Sequence, residues 1–223
     1  MGIKGLNEAF ANVFENPNRI TFKNMLKNIS GEYNDLDFKR EMIEYSTIAK
    51  HILAMANTEG GIICFGVDEV ETGGLKPIGL KTLDDNTEIL KKVGRYLPPE
   101  LKYSIHPIIY QDYVEWDELK NKKFLLIIIE FNAENIPFLP IKESNDFLRT
   151  DILCRKNSSS TKCEYQDLQE LLNKRIETNV SSSLSTRDLE DLRILQIYKL
   201  TDPFNIYNPI FKEKLKIIMK KIK

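Results

Sequence analysis

The sequence has few cysteines, almost no net charge and no long apolar segment, and each shortage excludes a class of protein. Its three cysteines, Cys64, Cys154 and Cys163, include no CxxC pair, so they supply neither a four-cysteine zinc site nor a disulfide framework. The apolar segment 124–131 is too short to cross a bilayer. Because 32 basic side chains nearly balance 33 acidic ones, any basic surface must be local. We therefore expect a globular cytoplasmic protein with no membrane partner.

The chain also lacks a phosphate-binding loop and a catalytic histidine pair. Its glycine turn, Asn57-Thr58-Glu59-Gly60-Gly61, follows a predicted helix and precedes a predicted strand, which reverses the order found in nucleotide-binding fingerprints. No GKS or GKT triplet occurs. We interpret the turn as a fold-forming feature in which glycine supplies a positive φ at the helix end. His51 and His106 do not have metal or catalytic spacing, and we interpret both as structural or surface residues.

Apolar periodicity divides the chain into helices and strands. Helical spacing predicts two short helices within residues 1–30, separated at Asn16-Pro17-Asn18, and a longer helix within 41–57. Period-two alternation predicts a half-exposed strand at 36–39, with Asp37 and Lys39 together on its polar face. The other predicted elements are a buried strand at 62–67, a helix at 83–96, a hairpin of 101–110 with 122–131, a strand at 147–155 and a helix at 165–176.

A shift in composition near residue 180 indicates where the main domain ends. We predict an N-terminal helical extension at 1–30, a main domain at 31–177, a linker with several serines at 178–186 and a C-terminal helical appendage at 187–223. The lysine-rich end of the appendage carries one apolar stripe, which is more typical of a docking or oligomer helix than of a nucleic-acid reader. The C-terminal helices are therefore the predicted surface for a homodimer or a partner protein.

Four carboxylates stand close to the glycine turn. Glu32 and Asp37 precede the turn, and Asp68 and Glu69 end the next predicted strand. Clustered carboxylates repel one another unless a cation compensates them, and oxygen ligands suit Mg²⁺ or Mn²⁺, which activate water for phosphodiester cleavage. Lys39 would then contact the phosphate. The alternative is a solvated strand edge in which Lys39 pairs with Asp37, worth about 0–1 kcal/mol, and spacing alone favours this alternative.

A second candidate site is the segment 155–162, which mixes cations with hydroxyl side chains. Arg155, Lys156 and Lys162 are of the type that contacts phosphate backbones without reading sequence, and Arg149 would join them from the same predicted strand. The alternative is an ordinary hairpin or strand–helix loop. On its own, the pattern favours that simpler interpretation.

Four blocks together resemble the Schlafen-type AlbA domain. Glu32 with Leu36-Asp37-Phe38-Lys39 resembles the family's opening E…(L/V)EFK, with Asp37 in place of the usual Glu. Residues 54–61, AMANTEGG, are similar to its AxANTxGG, and residues 63–69, ICFGVDE, are similar to its (I/L)xIGVDD run. Residues 155–161 resemble its closing R-x-G-S-S-T segment, with Asn157 in place of the glycine.

The resemblance implies an α+β fold that binds nucleic acid, with a mixed β-sheet and packed helices. The apolar spacing adds an N-terminal helical cover and C-terminal helices to this fold. Some Schlafen proteins are metal-dependent endoribonucleases that act on structured RNA such as tRNA and rRNA. Their acidic triad would fall on Glu32, Asp37 and Glu69, with Asp68 as a further metal ligand and Lys39 as the accompanying cation. The exchanges to Asp37 and Glu69 shorten one ligand arm and lengthen the other.

We therefore predict a nucleic-acid-binding protein that is an Mg²⁺- or Mn²⁺-dependent endoribonuclease acting on structured RNA such as tRNA. The alternative is a non-catalytic DNA- or RNA-binding module of a prokaryotic regulator or defence system. A homodimer would supply the second lobe that the vertebrate enzymes obtain from tandem domains. The predicted nucleic-acid-binding residues are Lys39, Arg149, Arg155, Lys156 and Lys162.

Overall fold

The protein combines helices with a mixed β-sheet, as seen in a computed structural model that describes residues 3–28, 34–70, 74–111 and 116–183. Its helices there are α1 (Ile3–Glu15), α2 (Arg19–Asn28), α3 (Tyr45–Ala56), α4 (Asn86–Gly94) and α5 (Tyr165–Ser183). Its strands are β1 (Leu36–Lys39), β2 (Gly61–Phe65), β3 (Val67–Glu69), β4 (Leu75–Pro77), β5 (Tyr103–Ile109), β6 (Lys123–Ile129), β7 (Leu153–Lys156) and β8 (Ser159–Lys162). The predicted α+β class is confirmed. The chain divides into two compact units, residues 1–171 and 172–223.

The central sheet has the strand order β1-β2-β6-β5. β1 runs parallel to β2, with Asp37 opposite Ile63, whereas β6 pairs antiparallel with both β2 and β5. β2 lies inside the sheet, which explains why every residue of its apolar sequence is buried. The predicted strand at 36–39 and the predicted hairpin of β5 with β6 are confirmed.

Successive side chains of a strand point to opposite faces of the sheet, so the side chains of this sheet belong to two apolar cores. Ile63 and Phe65 of β2 belong to the core formed with α3 and α4. The alternate residues Ile62 and Cys64 belong to the core formed with α1 and α2, to which Phe22 contributes a fully buried ring. The two short helices predicted near the N-terminus therefore cover one side of the sheet, and α3 and α4 cover the other.

The outer strand β5 carries a proline at its middle. The N–H of Tyr110 donates to the carbonyl of Lys122, and the N–H of Glu130 donates to the carbonyl of Lys102, so the N–H and C=O groups of the even-numbered residues point toward β6. The backbone nitrogen and carbonyl of Pro107, an odd-numbered residue, therefore point away from β6. Proline is compatible with this position because its ring removes an N–H that no ladder bond to β6 requires.

The glycine turn joins α3 to β2 and lies close to the backbone just before β1. The N–H of Gly60, at a φ of 76°, donates to the carbonyl of Met55 at 2.9 Å and closes the helix end. A Cβ added to Gly61, whose φ is 151°, would stand 2.4 Å from the carbonyl oxygen of Asp35. Glycine at this position therefore lets the segment before β1 approach the start of β2.

Asn57 ties the end of α3 to two distant segments. Its fully buried side chain donates from Nδ2 to the carbonyls of Phe138 and Leu153, each at 2.9 Å. Its Oδ1 accepts the backbone N–H of Phe138 at 2.6 Å. These bonds satisfy backbone groups that burial would otherwise leave unpaired. Asn57 thus has the fold-forming role that the sequence analysis assigns to the whole turn.

Several backbone segments differ from prediction. The predicted strand at 147–155 begins only at Leu153. The predicted strand at 62–67 ends at Phe65, because Gly66 turns the chain at a φ of 96°. The chain then continues as β3, which pairs with β4 in a separate two-stranded sheet. The segment 155–162, assigned to a turn, lies in a hairpin of β7 and β8, with Asn157 and Ser158 at positive φ in the tight turn. The hairpin is one of the two simpler interpretations of this segment.

Helix α5 is longer than its apolar spacing predicts. It runs from Tyr165 to Ser183 and so includes residues 178–183, which the sequence analysis assigns to a linker. The hydroxyl of Thr178 donates to the carbonyl of Lys174 at 2.9 Å, a local bond that is compatible with a helix. The predicted appendage at 187–223 lies outside the described residues, and the domain boundaries stay predictions. No described helix is long and apolar enough to cross a membrane.

Candidate functional site

Asp37 lies in a buried polar cluster, not on an exposed strand edge. Only 7% of the residue remains accessible to solvent. His51 from α3 and Arg155 from β7 both contact its carboxylate. The predicted half-exposed strand is therefore wrong at Asp37, because a helix and a hairpin from later in the chain pack over this side of β1.

The Asp37 carboxylate is surrounded by three nitrogen-bearing side chains. Oδ1 accepts a hydrogen bond from Nζ of Lys39 at 2.7 Å. Oδ2 lies 3.2 Å from Nδ1 of His51 and 3.4 Å from Nη1 of Arg155. These are ion-pair distances without hydrogen-bond geometry, so Oδ2 is buried with no hydrogen-bond partner among the described residues. The pairing of Lys39 with Asp37 is the contact that the simpler sequence alternative expects, but it occurs at the rim of a buried cluster and not in solvent.

Arg155 donates hydrogen bonds to two backbone carbonyls on the outer side of β1 and the residues just before it. Its Nη2 donates to the carbonyl of Leu36 at 3.1 Å, and its Nε donates to the carbonyl of Asn34 at 3.3 Å. These two carbonyls point away from β2, because the alternate carbonyls of Asp35 and Lys39 accept the β2-side bonds. Only 1% of the Arg155 side chain is exposed. The sequence analysis places Arg155 on a polar turn, whereas the structure buries it.

His51 and Ser160 complete the cluster, and sequence reasoning did not assign either of them to it. Nδ1 of His51 lies 2.8 Å from Oγ of Ser160. Burial lowers the pKa of His51 to about 4, against the opposing attraction of Asp37, so the imidazole is neutral at pH 7. Ser160 Oγ also accepts a hydrogen bond from Nη1 of Arg155 at 3.4 Å. Because these residues come from α3 and β8, no local pattern in the sequence could have joined them to Asp37.

The other predicted acids are placed differently. Asp68 forms an ion pair with Arg40 at 3.2 Å, and Glu69 is exposed at the end of β3, opposite Leu75 of β4. Glu32 lies outside the described residues. Asp37, by contrast, pairs with β2 of the central sheet, so the break at Gly66 assigns the two groups of acids to different sheets.

The predicted phosphate-binding cations, apart from Arg155, remain accessible. Lys39 is 26% exposed, at the rim of the Asp37 cluster. Lys156 and Lys162 are exposed on the β7–β8 hairpin, and Arg149 is exposed in the loop before it. Lys162 pairs with Asp151 at 3.0 Å, and Lys156 pairs with Asp167 at 3.5 Å. The carboxylates of these pairs are only 11% and 19% exposed, but both lysines lie at the surface, where a phosphate can reach them.

One observation fits a cation at this site. A buried carboxylate oxygen without a hydrogen-bond donor, as at Oδ2 of Asp37, is unusual and is a donor of the type that Mg²⁺ and Mn²⁺ prefer. Within the described ranges, no three histidine, cysteine, aspartate or glutamate side chains gather closely enough to hold a metal ion. Asp37, Asp68 and Glu69 are all described residues, and they do not form such a group.

Comparisons with known proteins agree with the motif blocks. The family described as Schlafen, AlbA_2 matches residues 32–164, which include β1, the glycine turn and the β7–β8 hairpin, and it suggests nucleic-acid binding. Among solved structures, the chain is similar to the DIP2311 protein from Corynebacterium diphtheriae, at 15% identity and a TM-score of 0.41. The match covers 80% of this chain but 31% of that one, so this chain spans less than a third of that protein's length. No curated protein matches the chain.

Proposed function

We propose, from the premise that this chain belongs to the Schlafen AlbA_2 family, that it binds nucleic acid and cleaves structured RNA such as tRNA as a divalent-metal-dependent endoribonuclease. The observation that carries the proposal is the position of Asp37 and Lys39 together on β1, beside a hairpin that carries exposed cations. An acid and a cation of the family motif lie 2.7 Å apart on the outer strand β1. The adjoining hairpin, joined to β1 through Arg155, carries two more exposed cations. Carboxylate and cation together are the pair that phosphodiester chemistry requires.

RNA binding would depend on the accessible cations. Lys39, Arg149, Lys156 and Lys162 are the proposed contacts to backbone phosphates, which fix the position of the RNA without reading its sequence. Arg155 supports the site in another way, because its buried guanidinium neutralises Asp37 and holds the hairpin against β1. A direct contact of Arg155 with phosphate would require the side chain to leave that position.

Mg²⁺ or Mn²⁺ is the proposed cofactor. The proposed ligands are Glu32, Asp37, Asp68 and Glu69, whose oxygen donors suit these hard cations. In the described arrangement Asp37, Asp68 and Glu69 do not form one ligand group, so a shared ion would require them to move together. When bound, the ion would supply an activated water for attack on a phosphodiester. On the protein side, Lys39, which now donates to Asp37 at 2.7 Å, would neutralise charge on the phosphate.

A non-catalytic DNA- or RNA-binding module of a regulator or defence system is the second candidate. The observation in its favour is that Asp37 already has two cationic neighbours, Lys39 and Arg155, so its charge is compensated without a metal. In this case the same exposed cations would bind nucleic acid, and residues 187–223 would dock a second copy or a partner protein. A cytoplasmic location stays a prediction for both candidates.

Cleavage assays test the proposal directly. Purified protein is incubated with tRNA, and separately with single- and double-stranded DNA, in Mn²⁺ or in EDTA. Metal-dependent cleavage of tRNA is expected, and Glu32→Ala, Asp37→Asn and Glu69→Ala should each abolish it. Asn is used at position 37 because it keeps the volume of the side chain. Since it still leaves the buried Arg155 without its charge partner, thermal unfolding must show that this variant is folded before its loss of cleavage is assigned to catalysis.

The matched control is Glu143→Ala, which removes an exposed carboxylate from a loop of the same unit. It should cleave like the wild type. Cleavage that survives all three site substitutions would rule out this active site. Binding of tRNA or DNA without cleavage in any metal would favour the non-catalytic module.

A further inference from the structure

We infer that Cys154 and Cys163 form an oxidation site, at which a peroxide converts the two thiols into an intramolecular disulfide across the β7–β8 hairpin. Both cysteines are free thiols in the structure. The inference goes beyond the proposed function, because the reaction needs neither RNA nor a metal ion. It assigns a reversible chemistry to two residues that the proposed nucleic-acid site does not use.

Strand pairing places the two cysteines on one face of the hairpin. Cys154 of β7 lies opposite Thr161 of β8. The N–H of Cys163 donates to the carbonyl of Ile152 at 2.7 Å, which continues the pairing one residue beyond β8. Because side chains alternate along each strand, Cys154 and Cys163 occupy diagonal positions on the same face.

The two thiols contact each other on this face. A hydrogen bond between them lowers the pKa of Cys154 and raises the pKa of Cys163, although burial opposes the ionisation of both. The pair therefore loses its first proton more readily than an isolated thiol, and the thiolate is the form that attacks a peroxide. Cys154 is 5% exposed and Cys163 is partly exposed, so a small oxidant reaches the pair from the side of Cys163.

One molecule of hydrogen peroxide accounts for the whole reaction. The thiolate attacks one peroxide oxygen, the O–O bond breaks, hydroxide leaves, and the oxidised sulfur becomes a sulfenic acid. The neighbouring thiol then attacks the sulfenic sulfur, which forms the S–S bond and releases water. The proton lost by the first thiol neutralises the hydroxide. Two thiols and one peroxide thus give one disulfide and two water molecules.

Cys64 provides the contrast within the same chain. It is fully buried on β2, in the core formed with α1 and α2, and burial raises its pKa well above the usual range. A thiol that is neither ionised nor accessible reacts slowly with a peroxide. Cys64 is therefore expected to stay reduced while the hairpin pair is oxidised.

The disulfide would enclose the hairpin in a covalent ring that runs from β7 to the residue after β8. Lys156 and Lys162 lie inside this ring. Arg155 contacts Asp37 from the opposite face of the hairpin, so the bridge would not displace it. Oxidation would therefore restrict the opening of the hairpin without removing any of its cations.

Peptide mapping of the full chain tests the oxidation site. The reduced protein is treated with equimolar hydrogen peroxide, its remaining thiols are blocked with iodoacetamide, and it is digested with trypsin without reductant. Trypsin cuts after Arg155 and Lys162, so the disulfide is detected as two peptides joined through Cys154 and Cys163, which dithiothreitol separates. Cys154→Ser and Cys163→Ser should each abolish the joined peptides. Cys64→Ala, the matched control, should retain them.

Glutathione redox buffers show whether the fold brings the thiols together. The native protein should favour the disulfide by about tenfold or more over the same chain in urea, because the hairpin holds the two thiols in contact. An equal or lower preference in the native protein, or the absence of joined peptides after peroxide treatment, would overturn the inference. Thermal unfolding of each variant shows that it is folded, and tRNA cleavage assays bear on the proposed function alone.

Discussion

The side-chain oxygen of Asn57 accepts the backbone N–H of Phe138 at 2.6 Å, across 81 positions of the sequence. The same side chain donates to the carbonyls of Phe138 and Leu153. One buried amide therefore connects the end of α3 with the loop before β7 and with β7 itself. Since β7 carries Arg155, this connection also fixes the position of the residue that neutralises Asp37.

Replacing Asn57 with Ala should lower the free energy of unfolding by about 3–5 kcal/mol, because it leaves several buried backbone groups without partners. Urea denaturation followed by circular dichroism measures the loss. Asn145→Ala, at an exposed loop position, is the control and should stay within about 0.5 kcal/mol of the wild type. A loss below about 1 kcal/mol for Asn57→Ala would mean that water replaces these bonds.

The buried pair of Asp37 with Arg155 should show strong energetic coupling. Arg155→Met should destabilise the protein by about 3–5 kcal/mol, because it leaves the Asp37 charge buried beside a lost partner. The double variant Asp37→Asn/Arg155→Met should be more stable than the sum of the single effects predicts. Chemical denaturation of the four proteins measures this cycle. Arg149→Met, on an exposed loop, should be nearly neutral, and additive single effects would contradict a direct pair.

Gly61 should not tolerate a side chain. Gly61→Ala places a Cβ 2.4 Å from the carbonyl oxygen of Asp35 and should destabilise the protein by roughly 2 kcal/mol or more, because both backbone segments are held in place. The matched control is Gly94→Ala, where the nearest atom would be Oη of Tyr103 at an ordinary 3.5 Å. Differential scanning fluorimetry should show a lowered Tm for the first variant only. Equal Tm values would show that the turn can rearrange.

The neutral, buried His51 should make the protein sensitive to mild acid. Its folded pKa of about 4 lies below the ordinary value of 6.5, so between these values the unfolded chain binds a proton that the folded chain excludes. Stability from this group is therefore complete above pH 6.5 and falls as the pH drops toward 4, by about 1.4 kcal/mol per pH unit. His51→Gln should flatten the profile in this window, as measured by urea denaturation from pH 4.5 to 7.5. Parallel profiles for the two proteins would contradict the burial of a neutral imidazole.

RNA affinity should depend on salt through the hairpin lysines. Lys156→Gln and Lys162→Gln should each weaken tRNA binding and reduce the slope of log K against log salt by about 0.7–0.9, the value for one lost phosphate contact. Fluorescence anisotropy between 50 and 200 mM salt, values chosen from the range where this effect is large, measures both quantities. Lys91→Gln, which removes an exposed lysine from α4, is the control and should leave the slope unchanged. A weaker affinity with an unchanged slope would show that the lysines act through folding.

The local parts of this fold could be predicted from the sequence, whereas the long-range parts could not. β1, α3 and the β5–β6 hairpin follow from apolar periods within a few residues of chain. Alternation also placed Asp37 and Lys39 on one side of β1, where they form a contact. The same alternation does not reveal what covers that side. Arg155 comes from more than a hundred positions later, so the burial of Asp37 depends on tertiary packing that no local pattern reports.

The break at Gly66 has a different cause. The apolar run from Ile62 to Val67 is continuous in sequence. One long buried strand would give such a run, and so would two shorter strands in different sheets, which is what the structure contains. The bend is set by the packing of Gly66 against Phe124, where a Cβ would stand 2.9 Å from the ring. The contact between Gly66 and Phe124 depends on the position of β6 in the fold, which the sequence does not show. The predicted strand therefore extends too far toward Glu69.

Each outer strand of the central sheet carries an interruption of its free edge: the guanidinium of Arg155 bonds the carbonyl of Leu36 in β1, and Pro107 removes an N–H from β5. An open strand edge is a template on which another chain can add, and such addition leads to fibres when protein concentrations are high. A second copy would find one carbonyl of β1 already bonded and one N–H missing from β5. Both features disfavour the addition of another strand to this sheet.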